Sequence, residues 1–112
     1  MDSLYHHENE YFLTRTPLRI SFFGGGTDLE AYYKTGFGAV LSTAINKYLY
    51  VTVKHHGELF DEPIRLNYSE TEMVKSVDDI RNDIARECLK LLGIDPPVYI
   101  STVADIPAGS GL

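Results

Sequence analysis

The sequence is poor in cysteine. Cys88 is the single one among 112 residues, so no intrachain disulfide framework can form. One thiol fits a reducing compartment. Basic residues are also scarce: 10 Lys+Arg face 16 Asp+Glu, a net charge of −6. That balance argues against a general nucleic-acid binder, which needs a basic face for phosphate backbones. It leaves room for a local anion site built from backbone N–H groups. No apolar run approaches the ~20 residues that span a bilayer. The start, Met1-Asp2-Ser3-Leu4-Tyr5-His6-His7-Glu8, lacks the basic-then-apolar pattern of a signal peptide. The expectation is a soluble, cytoplasmic protein with neither membrane nor nucleic acid among its partners. His6-His7 offers two adjacent side chains where a metal needs three or four convergent ligands, so no metal-binding residues are assigned. Internal repeats and low-complexity tracts are missing too.

What is present is enough for one core: 44% of the residues are hydrophobic, which excludes disorder as the main state. Tyr11 to Thr16 reads as a short strand, Pro17 as a strand edge or bulge, and Arg19 to Phe23 as extended chain. Gly24-Gly25-Gly26 stops it. Thr27 or Asp28 offers an N-cap for a short helix, Leu29 to Lys34. Ala39 to Ile45 and Tyr48 to His55 read as two strands paired through a turn at Asn46-Lys47, the second alternating cleanly. Ile64 to Tyr68 is a further short strand. Ser76, with Asp79 three residues on, opens a helix that Gly93 stops. Val77, Ile80, Ile84, Cys88 and Leu91 share its apolar face, with Leu92 beside them, which makes Cys88 a small buried hydrophobe. Val98 to Val103 is the last strand. It delivers the chain to Pro107-Ala108-Gly109-Ser110-Gly111-Leu112.

The two glycine segments carry the chemistry. Glycine permits positive φ, so successive N–H groups can converge on an anion, and it lets backbone approach a ligand without a Cβ. Gly24-Gly25-Gly26-Thr27-Asp28 adds a hydroxyl and a carboxylate. The carboxylate repels phosphate but accepts hydrogen bonds from the hydroxyls of a polyol or sugar. Arg19 lies upstream on the strand and is a candidate for the same pocket, as an anion partner or a pKa tuner. Pro107 to Gly111 has no carboxylate and suits an oligophosphate. It lacks the Gly-Lys-Ser/Thr of a Walker loop. Alone, three glycines are more often a flexible turn, Asp28 is more often a helix cap than a ligand, and Pro-Ala-Gly-Ser-Gly is a common loop composition.

Together, the segments resemble the first two motifs of the GHMP small-molecule kinases. Arg15-Thr16-Pro17-Leu18-Arg19-Ile20-Ser21-Phe22-Phe23-Gly24-Gly25-Gly26-Thr27-Asp28 is similar to the first, and Pro107 to Leu112 to the opening of the second. The Phe-Gly-Gly-Gly-Thr-Asp variant, followed by Tyr32-Tyr33, resembles the sugar-phosphate branch that includes the D-glycero-D-manno-heptose 7-phosphate kinases. The resemblance runs from about Tyr11 onward. It implies an α+β fold with a mixed, mainly antiparallel sheet and helices on one face. Residues 1–10 would be a flexible N-terminus, and residues 11–112 part of the family's N-terminal domain, ending inside the phosphate loop.

The resemblance also implies roles. Asp28 would contact substrate hydroxyls, and Arg19 would be the basic catalytic residue beside the acceptor. Gly25, Gly26 and Thr27 would line the acceptor site. Gly25 and Gly26 stand where galactokinases carry a Glu-His pair, which speaks against galactose. Pro107, Ala108, Gly109, Ser110 and Gly111 would hold the ATP phosphates. Tyr68 and Ser69 match the nucleotide side only weakly. ATP and Mg²⁺ are the implied cofactors of a complete enzyme. The chain alone, lacking later motifs, is expected to be inactive. Its expected partners are a sugar or sugar phosphate, ATP, and either the remainder of a kinase or a second copy. The alternative expectation is a non-catalytic half-domain that binds a sugar phosphate or oligomerises through exposed apolar surface.

Overall fold

The computed structural model describes residues 11–55 and 62–109. The expected flexible stretch 1–10, and Ser110 and Gly111 of the expected phosphate loop, lie outside the described residues. Five strands form one sheet: β1 (Tyr11–Phe23), β2 (Leu41–His55), β3 (Ile64–Asn67), β4 (Thr71–Val74) and β5 (Val98–Ala104), in the order β1-β2-β5-β3-β4. Two short α-helices accompany them, α1 (Glu30–Tyr33) and α2 (Asp83–Leu92). Strand β3 runs antiparallel to β4, with Ile64 opposite Val74, and parallel to β5, with Ile64 opposite Val98. The sheet is therefore mixed and the class is α+β, as expected.

Several local expectations need correction. Pro17 lies on an edge strand, as expected, but β1 runs through it uninterrupted, since a missing N–H at an edge need not cost a ladder bond. Leu41 to His55 is one strand of 15 residues, with no turn at Asn46-Lys47. A two-residue hairpin of the favoured kind needs positive φ, and no described non-glycine residue has it. Thr27 and Asp28 do not cap α1. They belong to a 3₁₀ turn, Gly25–Asp28, and Leu29 is the N-cap, with no side-chain bond. The expected helix from Ser76 is two pieces. Ser76 caps a 3₁₀ turn, Val77–Asp79, by accepting from the Asp78 N–H. The chain straightens at Ile80, and Asn82 then caps α2 by accepting from the Ala85 N–H at 3.0 Å. Gly93 ends α2 in the left-handed region at φ 65°, the conformation glycine adopts without penalty.

The chain divides into two compact units: Met1–Arg15 with Tyr50–Val103, and Thr16–Leu49 with Ala104–Leu112. The first holds the core of Ile64, Leu66, Ile80, Leu89 and Val98. Alternation along β3 explains two of these, since Ile64 and Leu66 share one face while Arg65 between them is exposed. The break before α2 resets its helical phase. Ala85 and Leu89, four apart, face the core, and Ile84, Cys88 and Leu91 form the exposed row. Cys88 is thus exposed rather than buried. Glu72 of β4 is buried and tied on every side. It accepts from the Tyr68 hydroxyl at 2.6 Å, the Arg81 N–H at 2.7 Å and the Asn82 N–H at 3.1 Å. The guanidinium of Arg81 adds an ion pair at 3.5 Å. One carboxylate therefore joins β4 to the N-terminus of α2, where orphan N–H groups and the helix dipole favour negative charge.

In the second unit none of the described apolar residues is fully buried: Leu18, Ile45, Leu49 and Ile106 are half-buried, while Phe37 is 82% and Phe23 67% exposed. Hydrogen bonds and close glycine contacts add to its order.

Candidate functional site

The first glycine segment is held by three residues whose identity is dictated by space. Gly24 lies at φ 97°, in the left-handed region, and a Cβ there would sit 2.2 Å from the Ala39 carbonyl oxygen. A Cβ at Gly38 would sit 2.6 Å from the Thr27 carbonyl oxygen. Both positions exclude alanine without rebuilding the backbone. Thr27 fills the space they leave. Its hydroxyl donates to the Gly24 carbonyl at 2.7 Å, with the Ala39 carbonyl as a longer second acceptor at 3.1 Å. It also accepts from the Ala39 N–H at 2.9 Å. The Thr27 N–H donates to Gly24 as well, at 2.9 Å. The turn Gly25–Asp28 is thereby fastened to the segment before β2.

A cleft of about 370 Å³ opens beside this junction, lined by Thr27, Asp28, Tyr33, Gly38, Ala39 and Val40. Its volume suits a small molecule. Asp28 supplies the one carboxylate of the lining, and Tyr33 an aromatic ring with a hydroxyl. A second cleft of about 340 Å³ lies on the Tyr32, Thr35 and Phe37 side of the same junction. Thr27 and Asp28 both line the first cleft. Gly25 and Gly26 have open space where a side chain would stand, and they line neither cleft. Arg19 is exposed on β1, in the same compact unit, and also lies outside both linings.

The second segment is described as far as Gly109. Pro107, Ala108 and Gly109 are exposed, and Gly109 takes the left-handed conformation at φ 81°. The loop is anchored at its root by Asp105. The Asp105 N–H donates to the Tyr48 carbonyl at 3.0 Å, and its carboxylate accepts from the Tyr48 N–H at 2.8 Å. Sequence reasoning missed Asp105, Gly38 and Gly24 as individual residues. Asp105 gave a usable signal, being a carboxylate between strand and loop, where Asp bonds backbone N–H groups. Gly38 signals only a turn after the short helix, and its contact with Thr27, eleven residues earlier, leaves no local mark.

The Tyr68 hydroxyl, matched only weakly to the nucleotide side, is bonded within the fold to Glu72. The bond to Glu72, then burial and the nearby Glu72 charge, push its pKa up to about 12. At Glu72, burial alone would raise the carboxyl. The Tyr68 bond, the Arg81 and Asn82 N–H groups and the Arg81 charge outweigh it and hold Glu72 below the usual carboxylate range. Among the described residues no group of three His, Cys, Asp or Glu could hold a metal ion. Nor is any described helix long and apolar enough to cross a membrane.

Comparison with known proteins defines the class. No family model matches. Two solved structures share the fold. A D-glycero-D-manno-heptose 1-phosphate kinase from Bacteriodes thetaiotaomicron superposes with a TM-score of 0.61 at 26% identity, covering 89% of this chain and 36% of that one. A Campylobacter jejuni protein assigned as a sugar kinase gives 0.57 at 26% identity, covering 91% and 35%. The chain is a homologue of the sugar kinases. More particularly, it is 33% identical over 108 residues to the D-glycero-alpha-D-manno-heptose 7-phosphate kinase of Campylobacter jejuni subsp. jejuni serotype O:2, covering 88% of this chain and 32% of that protein. The chain therefore spans about a third of the length of the relatives it matches.

Proposed function

We propose that the chain supplies the acceptor side of an ATP-dependent, GHMP-type kinase for a sugar phosphate, with D-glycero-D-manno-heptose 7-phosphate as the acceptor to test first. The observation that carries this reading is the Asp28 cleft. A single carboxylate beside a tyrosine, on a turn held against close backbone, suits a ligand rich in hydroxyl groups. Asp28 accepts hydrogen bonds from those hydroxyls and orients them. Arg19 offers a cation for the acceptor's phosphate, as a guanidinium does well. The backbone at 107–109, with Gly109 left-handed, fits the start of a cradle for the ATP phosphates. ATP, when bound, supplies the phosphoryl group, and transfer then depends on positioning and charge neutralisation. Mg²⁺ would be held mainly by the ATP phosphates and water with one or two carboxylates, and no step is assigned to it here. The cytoplasm is the proposed compartment.

A calorimetric titration with the heptose 7-phosphate tests the reading. Saturable binding is expected, weakened about ten-fold or more by Asp28→Asn, the loss of a charge-assisted hydrogen bond. An ADP-release assay on the same chain is expected to stay at background, and turnover would overturn the expectation of inactivity. The non-catalytic, oligomerising alternative draws support from the exposed row on α2, where Ile84 and Leu91 are 79% and 85% exposed. A concentration-dependent sedimentation coefficient without sugar-phosphate binding would favour it.

A further inference from the structure

We infer that Thr27 is the positioning residue of the acceptor site, acting through Asp28 rather than on the ligand. The inference rests on the acceptor reading above and adds a device to it. The hydroxyl of Thr27 pairs with Ala39 as a backbone strand residue would, accepting its N–H at 2.9 Å and facing its carbonyl at 3.1 Å. It also closes the turn onto Gly24 at 2.7 Å. Its one proton is committed to backbone, so it has none left for a ligand. The next residue in the chain is Asp28. The 3₁₀ turn that carries Asp28 has no side-chain cap of its own. Its flanks are two glycines, Gly24 and Gly38, that admit no Cβ because Ala39 and Thr27 occupy the space. Thr27 thus does for the turn what a cap would do for a longer helix. It fixes the floor of the cleft and the direction from which Asp28 meets a sugar hydroxyl. A loosely held carboxylate would have to be ordered at the moment of binding, and that cost lowers affinity.

The test uses the full 112-residue chain. Heptose 7-phosphate is titrated by calorimetry, amide exchange is followed at Ala39, and the Asp28 carboxyl carbon is followed by NMR. Thr27→Val keeps the shape and removes the hydroxyl. It is expected to weaken binding about ten-fold and to speed Ala39 exchange by a similar factor. The Asp28 carboxyl signal should respond less to saturating sugar. Thr27→Ser should restore all three. Gly38→Ala attacks the same junction from the other side while leaving the hydroxyl in place, and it serves if Thr27→Val folds poorly. Unchanged affinity in both variants, beside lost affinity in Asp28→Asn, overturns the inference and leaves the acceptor reading standing. Absence of binding by the unmodified chain overturns the acceptor reading, and the role of Thr27 falls with it. Unchanged Ala39 exchange in Thr27→Val overturns the junction itself.

Discussion

At Gly24 a single methyl group decides whether the turn before Asp28 can form. Left-handed backbone costs a non-glycine residue about 1–2 kcal/mol, and the 2.2 Å approach to Ala39 adds a backbone clash. Gly25 has neither burden, since nothing lies within 4 Å of its added Cβ. Gly24→Ala is therefore expected to shift the amide resonances of Thr27 and Ala39 widely, and Gly25→Ala to leave them near their original positions. A proton–nitrogen correlation spectrum of the two variants checks this. The three consecutive glycines look alike in the sequence. What separates them is Ala39, fifteen residues beyond Gly24, and no local pattern announces that contact. The chemistry of Asp28 and the glycine-rich character of its turn were legible, because they are properties of residue types. The partners Gly38 and Ala39 were not, because they are properties of the folded path.

Elements are where the first compact unit can be tested most sharply. Glu72 satisfies two backbone N–H groups and a tyrosine hydroxyl, so Glu72→Ala takes the acceptor from three donors on half-buried or exposed residues. The expected loss is about 1–3 kcal/mol, measured by urea unfolding. The carboxyl of Glu72 is held below its ordinary value of 4.5 in the folded chain. A depressed carboxyl contributes stability above its unfolded value, and that contribution is lost as pH falls through the folded value. Tyr68 carries the opposite sign. Its proton is held more tightly in the folded chain, so its contribution is complete below 10 and disappears as pH rises towards about 12. Unfolding free energy against pH should therefore fall at both ends. Glu72→Gln is expected to flatten the acid limb, and Tyr68→Phe the alkaline one. Asn82→Ala should cost about 1 kcal/mol by removing the cap of α2. Sequence patterning located β3, β5 and the end of α2, where alternation or a stopping glycine is strong. It missed β4, four residues with a buried glutamate at the second position. It also misphased α2, because the break at Ile80 cannot be seen in a spacing that continues helically across it.

For the whole molecule, the fully buried residues among those described all lie in one compact unit, and stability should follow them. Leu66→Ala, at 1% exposure, is expected to cost about 2–5 kcal/mol, whereas Phe37→Ala, at 82%, should stay within about 0.5 kcal/mol. Thermal unfolding by circular dichroism distinguishes them. A composition that promises a full core places it unevenly, and the unit carrying the candidate site relies on glycine fit and hydrogen bonds. Such regions open at lower free energy than cores do. Pro17 has a bearing on what an open sheet margin invites. Strand β1 is 13 residues long and forms one border of the sheet. A border of that length is a template on which foreign chains can stack into fibrils. Proline has no N–H to offer, and such residues blunt edge strands against pairing with other chains. The residue that reads in the sequence as a strand edge or bulge is thus of the type that discourages fibril growth along a sheet border.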